Sequence, residues 1–133
     1  MFQQDYAFQN VRSAAILTSS YVASNITPFS AKTLDQYNQL NLLVDLTLGS
    51  LTSVTLKVEF SNDGTNWFQE TVDAVDTATG IISERLATRS LTATGKYYIS
   101  LPISCHNARV SAIGVGTVTD SSLTIDSVLA LNL

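Results

Sequence analysis

The chain has 133 residues, 45% hydrophobic and only 14% charged, with a formal net charge of -4. That length suits one domain whose core needs no disulfide or metal staples. The seven Lys and Arg are scattered, with Arg85 and Arg89 the nearest to a pair, so the basic patch that direct nucleic-acid binding requires is missing.

Charged residues usually make up about 25% of a chain. Here Ser, Thr, Asn and Gln fill the gap. Such a surface is neutral and polar, and it costs less to desolvate than a charged one. It suits a component that packs against other protein.

The first ten residues are polar and aromatic without period, and they read as an N-terminal arm, 1–10, ahead of a single domain, 11–133. They show no basic region followed by an apolar run. No stretch reaches the ~18 apolar residues of a membrane-spanning helix. The chain is therefore expected to be made and kept in a cytoplasm.

Residues 14–23 are apolar and β-branched enough for a strand. Residues 26–32 suggest another, at an edge or a bulge because Pro28 removes a ladder donor. Residues 30–39 are the best helix candidate, one turn at most, with Thr33 as cap. Leu40, Leu42, Val44, Leu46 and Leu48 then alternate with mostly polar neighbours, as do Val54, Leu56, Val58 and Phe60. This is the period of half-buried strands. The short polar turn between them, 49–53, makes the pair read as a β-hairpin.

Residues 61–66 form a dense turn signal, in which Asp63-Gly64 offers the positive φ of a tight hairpin. Trp67 opens a returning strand to Val72. A looser stretch, 73–80, precedes a strand at 81–86, and 91–94 is short and ambiguous. Tyr97 to Leu101 is strand-like and ends at Pro102. Residues 106–115 carry Ala108, Val110 and Ala112 on one face. Residues 123–131 carry Leu123, Ile125, Ser127, Leu129 and Leu131 on one face. Eight to nine short strands at regular spacing indicate an all-β, antiparallel β-sandwich, jelly-roll-like or immunoglobulin-like.

Chemistry is sparse. Cys105 is the only cysteine and His106 the only histidine. Adjacent side chains in a strand point to opposite faces, which parts a thiol from an imidazole, so Cys105 reads as a buried structural residue. Asp73 and Asp76 beside Thr77 lack the further acids of a calcium loop. No Gly-rich phosphate loop and no Gly-x-Ser-x-Gly elbow is present. The expectation is a chain that is not an enzyme, with no catalytic residue, no cofactor and no metal.

The segment 57–67 is the most distinctive. Trp67 is either a platform for a sugar ring or an anchor that packs the hairpin inward. Tyr97 and Tyr98 place one ring on each face of their strand.

The run from Tyr37 to Thr71 resembles small virion structural proteins of tailed bacteriophages. The segments that carry the resemblance are Leu42-Leu43-Val44-Asp45-Leu46-Thr47-Leu48-Gly49, Leu56-Lys57-Val58-Glu59-Phe60-Ser61 and Asn62-Asp63-Gly64-Thr65-Asn66-Trp67-Phe68-Gln69-Glu70-Thr71. The ending from Ala108 to Gly114 and from Ser122 to Ile125 is also similar. The likeness covers about half the chain and carries over no catalytic residue. It implies a capsid decoration (auxiliary) protein that stabilises the particle, or a neck, tail or fibre component.

Such a protein would belong to the virion, assembled in the host cytoplasm. It would contact the major capsid or another virion protein and form a homo-oligomer, with a trimer favoured. Candidate contacts are Phe2, Tyr6 and Phe8 of the arm and Asn62, Asp63, Gly64, Asn66 and Trp67 of the hairpin. A carbohydrate-binding or adhesive module is the alternative.

Overall fold

The computed structural model describes residues 5–26, 37–103 and 105–131, and among these it is all-β. In chain order the strands are β1 (Asp5–Ala15), β2 (Val22–Ile26), β3 (Gln39–Thr47), β4 (Leu51–Ser61), β5 (Phe68–Gln69) and β6 (Thr71–Val75). They continue as β7 (Ile82–Leu86), β8 (Arg89–Leu91), β9 (Gly95–Pro102), β10 (Asn107–Gly116) and β11 (Ser122–Leu131). Eleven strands exceed the eight or nine expected, because residues 68–91 are divided into four short pieces.

Two antiparallel sheets hold the long strands. The first runs β1-β11-β3-β9, and the second β2-β10-β4 with β5 and β8 both on the far edge of β4. From β1 to β4, and again from β8 to β11, each strand lies in the sheet opposite to its predecessor. That is jelly-roll order. In an immunoglobulin sandwich several consecutive strands share a sheet, so that alternative is set aside.

The period-two pattern positions the core. Leu40, Leu42, Val44 and Leu46 of β3 point inward with Leu123, Ile125 and Leu129 of β11. Val54, Leu56 and Val58 of β4 and Ala108, Val110 and Ala112 of β10 supply the second sheet's share of the same buried cluster. Each fully buried Leu or Ile contributes about 1.5–3 kcal/mol of transfer free energy. Ser127 interrupts this face. It is fully buried, and among the described residues its Oγ has no hydrogen-bond partner.

Several expectations need correction. β3 and β4 do not pair as a hairpin; they lie in opposite sheets. Both must bury one face, and alternation satisfies that need equally well whether two strands lie edge to edge or face each other across a core. The corner between them requires a glycine. Gly49 has φ 59°, and a Cβ there would fall 2.5 Å from Asp120 Oδ1. Asp120 accepts from the Ser50 N–H at 2.7 Å and the Ser50 hydroxyl at 3.1 Å, locking this corner to the one before β11.

The N-terminal residues also differ. From Asp5 onward they are not an arm but strand β1, paired with β11 from Asp5↔Leu131 to Ala15↔Leu123. A regular backbone ladder needs no apolar alternation at an edge, so composition did not reveal it. The strand expected at 14–23 is split between the end of β1 and the start of β2. The helix candidate at 30–39 and the Pro28 strand fall almost wholly outside the described residues.

One further feature shapes the surface. β5 and β8 meet the same edge of β4, with Phe60↔Phe68 and Glu59↔Gln69 followed by Leu56↔Arg89 and Val54↔Leu91. They are two halves of one edge strand. Residues 71–86 leave it as the β6–β7 hairpin. The break is closed by the Ala87 N–H to the Glu70 carbonyl at 2.8 Å and by Gln69 Nε2 to the Ala87 carbonyl at 3.0 Å.

Two stability outcomes are expected. Leu42→Ala should cost about 2–5 kcal/mol, because its face of the sandwich is closed and a cavity would remain. Ser127→Ala should stabilise by about 1 kcal/mol by removing an unpaired buried hydroxyl. Urea denaturation of both variants checks these values, and a destabilised Ser127→Ala would mean that the hydroxyl has a partner.

Candidate functional site

The hairpin signal at 61–66 is spent on its own turn. Asp63 Oδ1 accepts from the N–H groups of Thr65 and Asn66, each at 2.8 Å, and Asp63 Oδ2 accepts from Asn66 Nδ2 at 2.7 Å. The Ser61 hydroxyl accepts from the Gly64 N–H at 2.9 Å, and Gly64 sits at φ 75°. Bonding to the Asn66 and Thr65 backbone holds the Asp63 carboxyl well below the usual carboxylate range. Asn62 accepts from the His106 N–H at 3.4 Å.

Trp67 does not pack inward. It stacks on the outer face of the second sheet, 4.3 Å from the Arg109 guanidinium. Arg109 in turn pairs with Glu59 across the ladder, Nε to Oε1 at 3.1 Å. Such stacking contributes about 0.5–1 kcal/mol at exposed sites, and it occupies one face of the ring. The strand expected to begin at Trp67 is only β5.

Three other cations are likewise engaged within the chain. Arg89 makes two bonds to Glu70, at 2.7 and 3.1 Å. Lys57 Nζ lies 4.2 Å from the Tyr21 ring. Arg12 donates to the carbonyls of Ala15, Ile16 and Leu123 at the irregularity in β1, and burial lowers its pKa.

Of the arm residues, Phe2 lies outside the described residues and Tyr6 opposes Ala130 in the ladder. Phe8 is exposed opposite Val128. Cys105 and His106 occupy a bend before β10 rather than a strand, so the opposite-face geometry does not apply. Cys105 is half-buried, not fully buried, and its thiol donates to the Asn107 carbonyl at 3.1 Å. Asp73 and Asp76 are parted as well. Asp73 is mid-strand in β6, whereas Asp76 accepts from the N–H groups of Ala78 and Thr79.

Two surfaces remain uncommitted. The first is the β6–β7 hairpin, whose strands pack chiefly on each other. Its register places Thr71 opposite Leu86, Asp73 opposite Glu84 and Val75 opposite Ile82, all on one face. Val75 is 59% exposed, and Ile82 and Leu86 are each 63% exposed. The sequence pattern suggested a strand at 81–86 but gave no sign that neither of its faces would be covered.

The second surface is a groove on the outer face of the first sheet. Cross-strand register aligns Asn10, Asp126, Leu43 and Tyr98 in one row, with Thr124, Asp45 and Lys96 in the next. The groove they frame has a volume of ≈ 370 Å³. Tyr98 is 67% exposed, while Tyr97 packs against the core, one ring on each face as the alternation requires.

No family model matches the chain, and no curated protein matches it. Among solved structures it is similar to a family 29 carbohydrate-binding module from Piromyces equi, with 10% identity over 98% of this chain and 87% of that one, TM-score 0.47. It is similar to a family 11 carbohydrate-binding module from Clostridium thermocellum, with 5% identity over 97% and 84%, TM-score 0.44. It is also similar to the K3 cleaved adhesin domain of Lys-gingipain from Porphyromonas gingivalis, with 12% identity over 98% and 74%, TM-score 0.45. Likenesses at this level carry no information on what the chain binds.

The Asp63 turn has a pH signature. A depressed folded-state pKa contributes stability that is present above the ordinary aspartate range and is lost as pH falls through the folded value. Asp63→Ala should therefore melt below the parent protein at neutral pH, and the gap should narrow on acidification. Thermal unfolding of both proteins across an acid pH series checks this. A gap that stays constant would mean that the carboxylate charge does not hold the turn.

Proposed function

We propose that the chain is a non-enzymatic structural component of a tailed-phage virion, most specifically a decoration protein that binds other virion protein through the β6–β7 hairpin. The observation that carries this reading is the exposed apolar face of that hairpin. Val75, Ile82 and Leu86 project from a two-stranded ribbon that, among the described residues, pairs with no third strand. Two-stranded ribbons are marginal by themselves, and exposed apolar clusters on a protruding element mark interaction surfaces.

The charges on the same face add to this. Asp73 and Glu84 oppose each other directly, and like charges across a ladder destabilise it. A partner offering a cation between apolar contacts relieves that repulsion while it covers Val75 and Ile82. The neutral, Ser- and Thr-rich remainder of the surface supports packing against a lattice at low desolvation cost. The resemblance of residues 37–71 to phage structural proteins points the same way.

The test is particle binding. The double variant Val75→Ser/Ile82→Ser should keep its unfolding free energy within about 0.5 kcal/mol, as surface changes usually do. It should nevertheless fail to bind virions assembled without the protein, as read by co-sedimentation. A folded variant that saturates the particles as the parent does would overturn the hairpin as the docking element.

A further inference from the structure

The groove on the outer face of the first sheet has a chemistry that lattice docking through the hairpin leaves unused. We infer that it is a binding site for a neutral, hydroxyl-rich sugar, with one pyranose ring seated on Tyr98 beside Leu43.

The site is built from three strands with fixed register. β3 is interior to the sheet, so Leu43 and Asp45 are held from both sides by β11 and β9. Tyr98 lies opposite Leu43, and together they form an apolar floor. A tyrosine ring presents an electron-rich face that attracts the C–H edge of a pyranose. Because β9 is the edge strand, the groove is open on that side and a longer chain can run past Tyr98.

The polar groups around this floor differ in how far they are already committed. Beyond Leu43 and Tyr98, in the row of Val128, Asn41 and Ser100, they are saturated. The Ser100 hydroxyl donates to Asn41 Oδ1 at 2.9 Å, and Asn41 Nδ2 donates to the Val128 carbonyl at 3.3 Å. Asp126 is half committed. Asn10 Nδ2 donates to its Oδ1 at 2.8 Å, which fixes the carboxylate and leaves Oδ2 to accept. Asp45 and Lys96 face each other across the ladder, and among the described residues neither takes a hydrogen bond or an ion pair.

The floor is therefore flanked by two carboxylates with spare acceptor capacity and one ammonium with spare donors. That arrangement selects the ligand. An excess of acceptors requires a donor-rich partner, and the hydroxyl groups of a sugar supply several donors per ring. Two carboxylates against one lysine repel a sugar acid or a phosphate. An apolar peptide would cover Tyr98 and Leu43 but bury the Asp45 carboxylate and the uncommitted Oδ2 of Asp126 without new partners, which is costly for a charged group. The space, ≈ 370 Å³, sits at the small end of ligand pockets, about 300–1,000 Å³, which matches one or two sugar rings. Few contacts and an open side imply weak affinity, with multiple copies on a particle supplying the avidity.

The experiment is a 15N–1H NMR titration of the intact chain with cellotriose, maltotriose, lactose and chitotriose, and with sialyllactose as the anionic probe. At least one neutral sugar should shift the amides of Leu43, Asp45, Lys96, Tyr98 and Asp126, with a Kd of about 1 mM. Tyr98→Ala should weaken that binding about tenfold, and Tyr98→Phe should retain it because the ring face remains. Val75→Ser/Ile82→Ser should bind the sugar as the parent does, so loss of lattice docking and loss of sugar binding are read separately. The inference is overturned if no neutral probe shifts these amides, if Tyr98→Ala binds as well as the parent, or if sialyllactose binds more tightly than the neutral sugars.

Discussion

Two sheets facing each other across one apolar core set every other feature of this chain. Leu40, Leu42, Val44 and Leu46 on β3, with their neighbours on β11, must be covered by Val54, Leu56 and Val58 on β4 and by the small residues of β10. Once that interface forms, the opposite side chain of every long strand is turned outward. Leu43, Asp45 and Thr47 reach the surface because Leu42, Val44 and Leu46 do not. Sequence alternation thus generates both the core and the functional face, and a register slip of one residue would exchange them.

The period of two was readable directly, and so were most of the strands it produces. β3, β9, β10 and β11 fall within a residue or two of where alternation places them, and β4 begins three residues earlier, inside the expected turn. Pairing was not readable. The turn at 49–53 looks like a hairpin loop, yet it carries the chain from one sheet to the other, and the feature that decides this is Gly49 lying against Asp120, about seventy residues downstream. β1 was missed for the opposite reason. An edge strand held by backbone bonds to β11 needs little from its side chains, so its sequence carries little signal.

The functional surfaces follow the same division. That Tyr97 and Tyr98 occupy opposite faces is a local fact and was available from the residues alone. That Asp126 and Lys96 line the same groove is a matter of strand order, and only the folded sheet brings them together. Trp67 was singled out as the one large aromatic near a turn, but its partner, Arg109, lies on a strand forty residues away and draws it outward. The candidate contacts at 61–66 were identified by residues that turned out to serve the turn itself. Asp, Asn, Ser and Gly are used there for backbone geometry, and the same residue types are common in binding loops.

The division of one edge strand into β5 and β8 has a wider meaning. Both halves keep their own places on β4, and the junction between them is held by Glu70, Ala87 and Gln69, outside the β6–β7 ladder. The 71–86 segment is thereby a cassette in a socket. Its ladder is separate from those of the two large sheets, so a change in its length or sequence removes no rung from the sandwich. In a protein whose framework is constrained on nearly every long strand, this is the place where new specificity can be written at little cost to the fold.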